Sequence, residues 1–133
     1  MSQENLEIAR EVLAALGERD PSHLVALADP EVEWHWFFAM GEGHGSYRGH
    51  EGTRRYMSDL DDAFEIGRAD VDDALAVGDV VVLVGRIHYR GKGSGVVSDA
   101  PAGWMLKFRN GKVLCFRAFR GPEEALEAVG LSE

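Results

Sequence analysis

Cysteine is almost absent from this sequence. Its 133 residues hold only Cys115, which excludes an internal disulfide and with it a small secreted scaffold held by cross-links. Long apolar runs are missing too: the longest aliphatic stretch, Val80 to Val84, has five residues, against the roughly 20 that a membrane-spanning helix needs. Basic residues are few, 14 Lys and Arg against 23 Asp and Glu, for a net charge of -9. They are scattered rather than clustered, which argues against nucleic acid or an anionic membrane as partner. The opening Met1-Ser2-Gln3-Glu4-Asn5 is polar and acidic where a signal peptide needs positive charge and an apolar core, so a cytoplasmic location is expected. The apolar fraction is 45%, enough for a real core, and cores divide only beyond roughly 250 residues. One domain spanning 1–133 is expected.

What is present reads as helices followed by strands. Leu6, Ala9, Leu13 and Leu16 recur at helical spacing, with Gly17 placed as a C-cap. Asp20-Pro21 opens a second, short helix carrying Leu24, Val25 and Leu27, which stops before Pro30. Glu31 to Trp36 alternates polar with apolar and is the clearest strand. Met40 to Gly52, with five glycines, reads as a long loop or lid, and Gly52 to Phe64 as a third helix. No element is read between Phe64 and the turn Gly78-Asp79. Strands follow over Val80 to Tyr89, Ala102 to Arg109 and Val113 to Arg120, the last two joined by Asn110-Gly111. A short helix begins at Pro122 and closes at Gly130. The pattern is an α+β domain with a meandering antiparallel sheet.

Candidate chemistry is sparse. The histidines His23, His35, His44, His50 and His88 offer no ligand spacing on one helix face, and Cys115 is far from all of them in sequence. No metal and no cofactor are expected. Cys115, inside an apolar strand, reads as an inert thiol. In the strand from Val80, the even positions run Val80, Val82, Val84, Arg86, His88, Arg90, while the odd positions Val81, Leu83, Ile87 and Tyr89 stay apolar. Two readings of the even face are open. Its cationic end frays into solvent, or Arg86 and His88 form the upper wall of an apolar pocket. On the second reading Arg86 needs a partner, either Asp99 or another acid, or a bound anion. The odd positions would then form an outer face suited to dimerisation. Tryptophans 34, 36 and 104, with Tyr56, Phe116 and Arg120, complete the candidate ligand-binding set.

The stretches Gly91-Lys92-Gly93-Ser94-Gly95, Asp99-Ala100-Pro101-Ala102, Phe108 to Val113 and Glu123 to Leu131 resemble the SnoaL-like proteins of the NTF2-like superfamily, in the same order of elements. That resemblance covers essentially the whole chain. It implies a conical barrel, with a curved sheet wrapped around N-terminal helices and enclosing a cavity, often dimerised on the outer sheet face. Tested position by position, the proton-transferring residues of ketosteroid isomerases fall on Val12, Trp34 and Trp104, none of which transfers a proton. Of the Asp-Arg-Asp set of limonene epoxide hydrolases, only Arg86 is matched; His88 and Ala118 stand at the other two places. Asp99 with His88 or His35 is the nearest equivalent of the Asp and His of polyketide cyclases. The resemblance thus implies a homodimer that binds a small apolar or carbonyl-bearing ligand, with cofactor-independent acid/base chemistry through His88, Arg86 and Asp99. Two alternatives stand beside it: a non-catalytic ligand-binding or dimerisation module, and a zinc reaction through His35 and His88.

Overall fold

A computed structural model describes residues 2–35, 46–93, 95–128 and 130. The chain runs α1 (Ser2–Glu18), α2 (Pro21–Leu27), β1 (Ala28–His35), β2 (Ser46–Arg48), α3 (Gly49–Ala63), β3 (Phe64–Val77), β4 (Val80–Gly91), β5 (Val97–Arg109), β6 (Lys112–Phe119) and α4 (Pro122–Ala128). Trp36 and His44 lie outside the described residues.

The helical spacing of the N-terminal segment is realised, and Ala9, Val12, Leu13 and Leu16 are buried. Gly17 is not its cap. α1 continues to Glu18, and the left-handed residue beyond it is Arg19, with φ of 57°. Gly17 serves close approach instead, because a Cβ there would stand 3.2 Å from the Gly67 carbonyl oxygen of β3. α2 begins as its sequence indicates: the Asp20 side chain accepts from the His23 backbone N–H, and Pro21 fills the first turn.

Six strands form one sheet in the order β2-β1-β6-β5-β4-β3. The run from β3 to β6 is an antiparallel meander, but β1 joins β6 in parallel, so the sheet is mixed. β3 occupies the segment for which no element was read. It is an edge strand with Asp70, Asp72 and Asp73 along it, and a bulge between Val71 and Asp73 shifts its period. That bulge removes the alternation by which a strand is recognised. β2 takes three residues from the segment read as loop. The Asn110-Gly111 turn has positive φ at both positions, 53° and 76°, as a two-residue hairpin requires. Arg109 at this hairpin donates through Nε (3.1 Å) and Nη2 (2.8 Å) to the buried Asp29 carboxylate, tying β1 to the meander.

α1 and α3 pack against one sheet face, where Val32, Trp34, Leu83, Trp104, Leu106 and Phe116 form the core. α4 packs on the opposite face: a Cβ at Gly103 would lie 2.6 Å from that of Ala125, and Val82 beneath is 1% exposed. No described helix is long and apolar enough to cross a membrane.

One buried hydrogen bond joins β1 to α3. The Trp34 indole N–H donates to Thr53 Oγ1 at 2.7 Å, and that hydroxyl donates to the Gly49 carbonyl at 2.8 Å. Both side chains are fully buried. Replacing Thr53 by valine keeps the volume and strands the indole donor, which costs roughly 1–3 kcal/mol. Urea denaturation is expected to register that loss for Thr53→Val and to recover most of it in Thr53→Ser.

Candidate functional site

Between the helices and the sheet lies a cavity of about 80 Å³, room for several waters at roughly 10–15 Å³ each by the same kind of measure. Leu13 and Leu16 of α1 and Tyr56 and Leu60 of α3 line its helical side. Gly67 and Ala69 of β3, Ile87 and Tyr89 of β4, Trp104 of β5, and Phe116 and Ala118 of β6 line the sheet side. The wall is mostly apolar. The polar side chains among its lining residues, Arg19, Tyr56, Tyr89 and Trp104, are donors or donors that can also accept, while Arg68 borders it with its guanidinium turned to the other face. Among the described residues, no carboxylate or imidazole lines it.

Tyr56 is held by aromatic packing. Its ring stacks on Trp34 at 5.5 Å between centroids, with Tyr47 at 5.3 Å and Phe116 at 6.4 Å. Burial pushes its hydroxyl well above the usual phenol range, Tyr47 adds to the effect, and nearby Arg19 opposes it. Tyr56 is therefore a neutral O–H donor at physiological pH. Tyr47 donates to Asp59 Oδ2 at 2.5 Å, and burial together with that carboxylate raises it to about 12.

Arg19 forms the cavity's charged corner. Nη1 donates to the Leu16 carbonyl (2.7 Å) and Nη2 to that of Phe64 (3.4 Å). Buried Nε has no hydrogen-bond partner among the described residues; Asp61 Oδ1 stands 3.7 Å away. Burial lowers the guanidinium's pKa, with Asp61 and Tyr56 opposing. The left-handed backbone at Arg19 costs on the order of 1 kcal/mol for a residue with a Cβ.

The expected residues divide between the two faces. Tyr56, Trp104 and Phe116 line the cavity, whereas Trp34 sits behind Tyr56, and Arg120 is exposed beyond the end of β6. Trp36 is outside the described residues. Arg86, His88 and Asp99 do come together, but on the other face, so the expectation of a cavity wall is corrected. The cavity side of β4 is the odd one, ending in Ile87 and Tyr89. Those residues, with Val81 and Leu83, therefore do not provide the outer dimer face expected of them. The physical reason is that both faces of the first half of β4 are covered, by α1 and by α4, and a strand buried on both sides carries no alternation to mark the inside. His35 and His88 stand on β1 and β4, three strand spacings apart or about 14 Å, too far to share one metal. Cys115 is half-buried, and that burial raises its thiol pKa.

The outer-face charges make a ladder across β3, β4 and β5. Arg68 Nη2 meets Asp70 Oδ2 at 3.2 Å, and His88 Nε2 meets the same oxygen at 2.7 Å. His88 Nδ1 lies 2.8 Å from Asp99 Oδ2, and Arg86 Nε lies 2.6 Å from Asp99 Oδ1. Each carboxylate is shared by two basic side chains. The Arg86 hydrogen bond first, then the charges of Arg86 and His88, hold Asp99 below the usual carboxylate range; Arg68 and then His88 do the same for Asp70. Arg19, Ile87 and Tyr89 were the cavity residues that sequence reasoning missed or turned outward. No pattern marks Arg19, which lies between Gly17 and the Asp20-Pro21 cap.

The sequence profile of the SnoaL-like domain matches residues 9–116. Among solved structures, a protein of ketosteroid isomerase-like fold from Catenulispora acidiphila DSM 44928, in complex with trimethylamine, is similar at 20% identity and a TM-score of 0.76, covering 94% of this chain and 93% of its own. TerC co-crystallised with polyporic acid matches at 21% identity and 0.77, over 93% and 98%. An NTF2-like protein from Burkholderia pseudomallei K96243 matches at 19% and 0.76, over 96% and 98%. No curated protein matches the chain. At these identities the structural likenesses establish the fold.

The ladder sets an expectation for acid. Because Asp70 and Asp99 are lowered in the folded state, their stabilising contribution is present above the unfolded carboxylate value of about 3.9 and is lost as pH falls below it. Urea midpoints are expected to drop between about pH 4 and pH 2. Asp70→Asn/Asp99→Asn is expected to be less stable at neutral pH and to show a shallower acid limb.

Proposed function

Given that the chain belongs to the SnoaL-like domain family, we propose that it binds a compact, largely apolar, carbonyl-bearing molecule in the cavity between α1, α3 and the sheet. The observation that carries this reading is the chemistry of the lining: an apolar wall with the Tyr56 hydroxyl, the Trp104 indole and Arg19 set into it. Such a wall removes the body of a ligand from water, and a few fixed donors orient its acceptor. Trp104 is 2% exposed and lines the cavity, and its indole is a donor that an acceptor on the ligand can use.

The outer placement of His88, Arg86 and Asp99 turns the reading away from acid/base catalysis at those residues and toward binding and polarisation. A neutral Tyr56 beside a guanidinium polarises a carbonyl. The complex of TerC with polyporic acid gives a relative of the same fold an organic acid as companion, which fits an acceptor-bearing ligand here.

Benzamide is a suitable neutral probe, a small ring with one carbonyl. It is expected to quench tryptophan fluorescence saturably, and Ala69→Leu, which pushes side chain into the cavity, to abolish that quenching while stability changes by less than about 1.5 kcal/mol. Saturation unaffected by Ala69→Leu would place the probe elsewhere and overturn the reading, as would its absence from the native protein.

A further inference from the structure

We infer that Arg19 is an anion anchor, and that the ligand of the cavity carries a carboxylate or equivalent oxyanion set against its guanidinium. This rests on reading the cavity as a ligand site and adds the ligand's charge. Three independent observations support it.

The first is position. Arg19 lines both the inner cavity and a surface recess formed with Pro21, Arg54, Met57, Ser58 and Asp61. Its side chain is 18% exposed, so the guanidinium forms a partition between solvent and interior. Two cations, Arg54 and Arg19, with the acid Asp61, line that recess.

The second is unfilled capacity. A guanidinium has five N–H donors in a rigid fork. Two are given to the Leu16 and Phe64 carbonyls, and Nε has no acceptor within hydrogen-bonding distance among the described residues. Asp61, itself 61% exposed, approaches Nε to 3.7 Å, close enough to balance charge and too far to hydrogen-bond. It is a provisional counter-ion, whose place a ligand carboxylate would take at shorter range and with bidentate geometry.

The third is backbone. Glycine adopts the conformation at residue 19 without steric penalty, yet this chain places there a long cationic side chain, folded back against Gly67, where a Cβ would lie 3.5 Å from Nη1 and Nη2. A residue kept in an unfavourable conformation points to use of its side chain. Arg68 also borders the cavity through its strand, but its guanidinium is turned to the outer face toward Asp70, so Arg19 is the cation available to a ligand inside.

Calorimetric titration with benzoate and with benzamide, equal in shape and different in charge, tests the anchor. The native protein is expected to bind benzoate about tenfold more tightly, as a charge-assisted pair predicts. Asp61→Asn removes the competing carboxylate and is expected to strengthen benzoate binding about threefold with benzamide unchanged. Arg19→Met is expected to erase the preference, weakening benzoate about tenfold more than it weakens benzamide. Should Arg19→Met fail to fold, the native ratio and the Asp61→Asn shift decide. Equal affinities in the native protein, or an Asp61→Asn variant without effect on benzoate, would overturn the anchor and leave the ligand cavity standing. If neither probe binds, the cavity reading fails and the anchor with it.

Discussion

The hydrogen bond from Trp34 to Thr53 is the constraint on which the interior is arranged. It is the point where β1 and α3 are tied through side chains buried from water. Once the indole is fixed by Thr53, its faces are committed. Tyr56 stacks against it and Phe116 tilts toward it at 5.2 Å. Tyr56 and Phe116 are the aromatic wall of the cavity, so a bond outside the cavity decides where its wall stands. An unpaired indole N–H would have every reason to turn toward water.

Charge is sorted by face with unusual strictness. The outer surface of the meander carries the alternating row from Arg68 to Arg86, in which two carboxylates are each shared between basic groups. The described cavity lining carries arginine and no acid. A net charge of -9 therefore coexists with a cationic interior corner. Bulk charge speaks to what the whole molecule repels, whereas the corner at Arg19 speaks to what a small ligand meets once inside.

Much of the architecture was legible in the residues because local chemistry decided it. The α1 stripe, the Asp20-Pro21 start and the Asn110-Gly111 turn need no tertiary information. The family resemblance likewise depended on turns and helix ends, which survive as local signals. β3 escaped because its alternation is broken at Val71–Asp73 and its charged residues suit an edge. The facing of β4 escaped for a different reason. Val80 to Val84 is apolar on both sides, and the element that buries its far side, α4, lies some forty residues away in sequence. Without knowledge that α4 crosses back over Gly103, the parity of Arg86 and His88 was undetermined, and the site was assigned to the wrong face. Tyr56, Trp104 and Phe116 were found because large aromatics go inward whichever way the faces fall. Arg19 depends on a side chain doubling back under β3, which no spacing rule records.

The parallel pairing of β1 with β6 has a consequence for how the molecule is made. The ribbon of β1 and β2 is paired with the remainder of the sheet through β6, the last strand of the chain. During synthesis, the helices and β1 emerge early while the strand that completes their sheet is still to be translated. Val32 and Trp34 must wait for Val113 and Phe116, a separation of some eighty residues that makes closure a slow, late event. A nascent chain halted before β6 would hold that ribbon against α3 alone, unpaired along its other edge, an aromatic surface for chaperones to recognise.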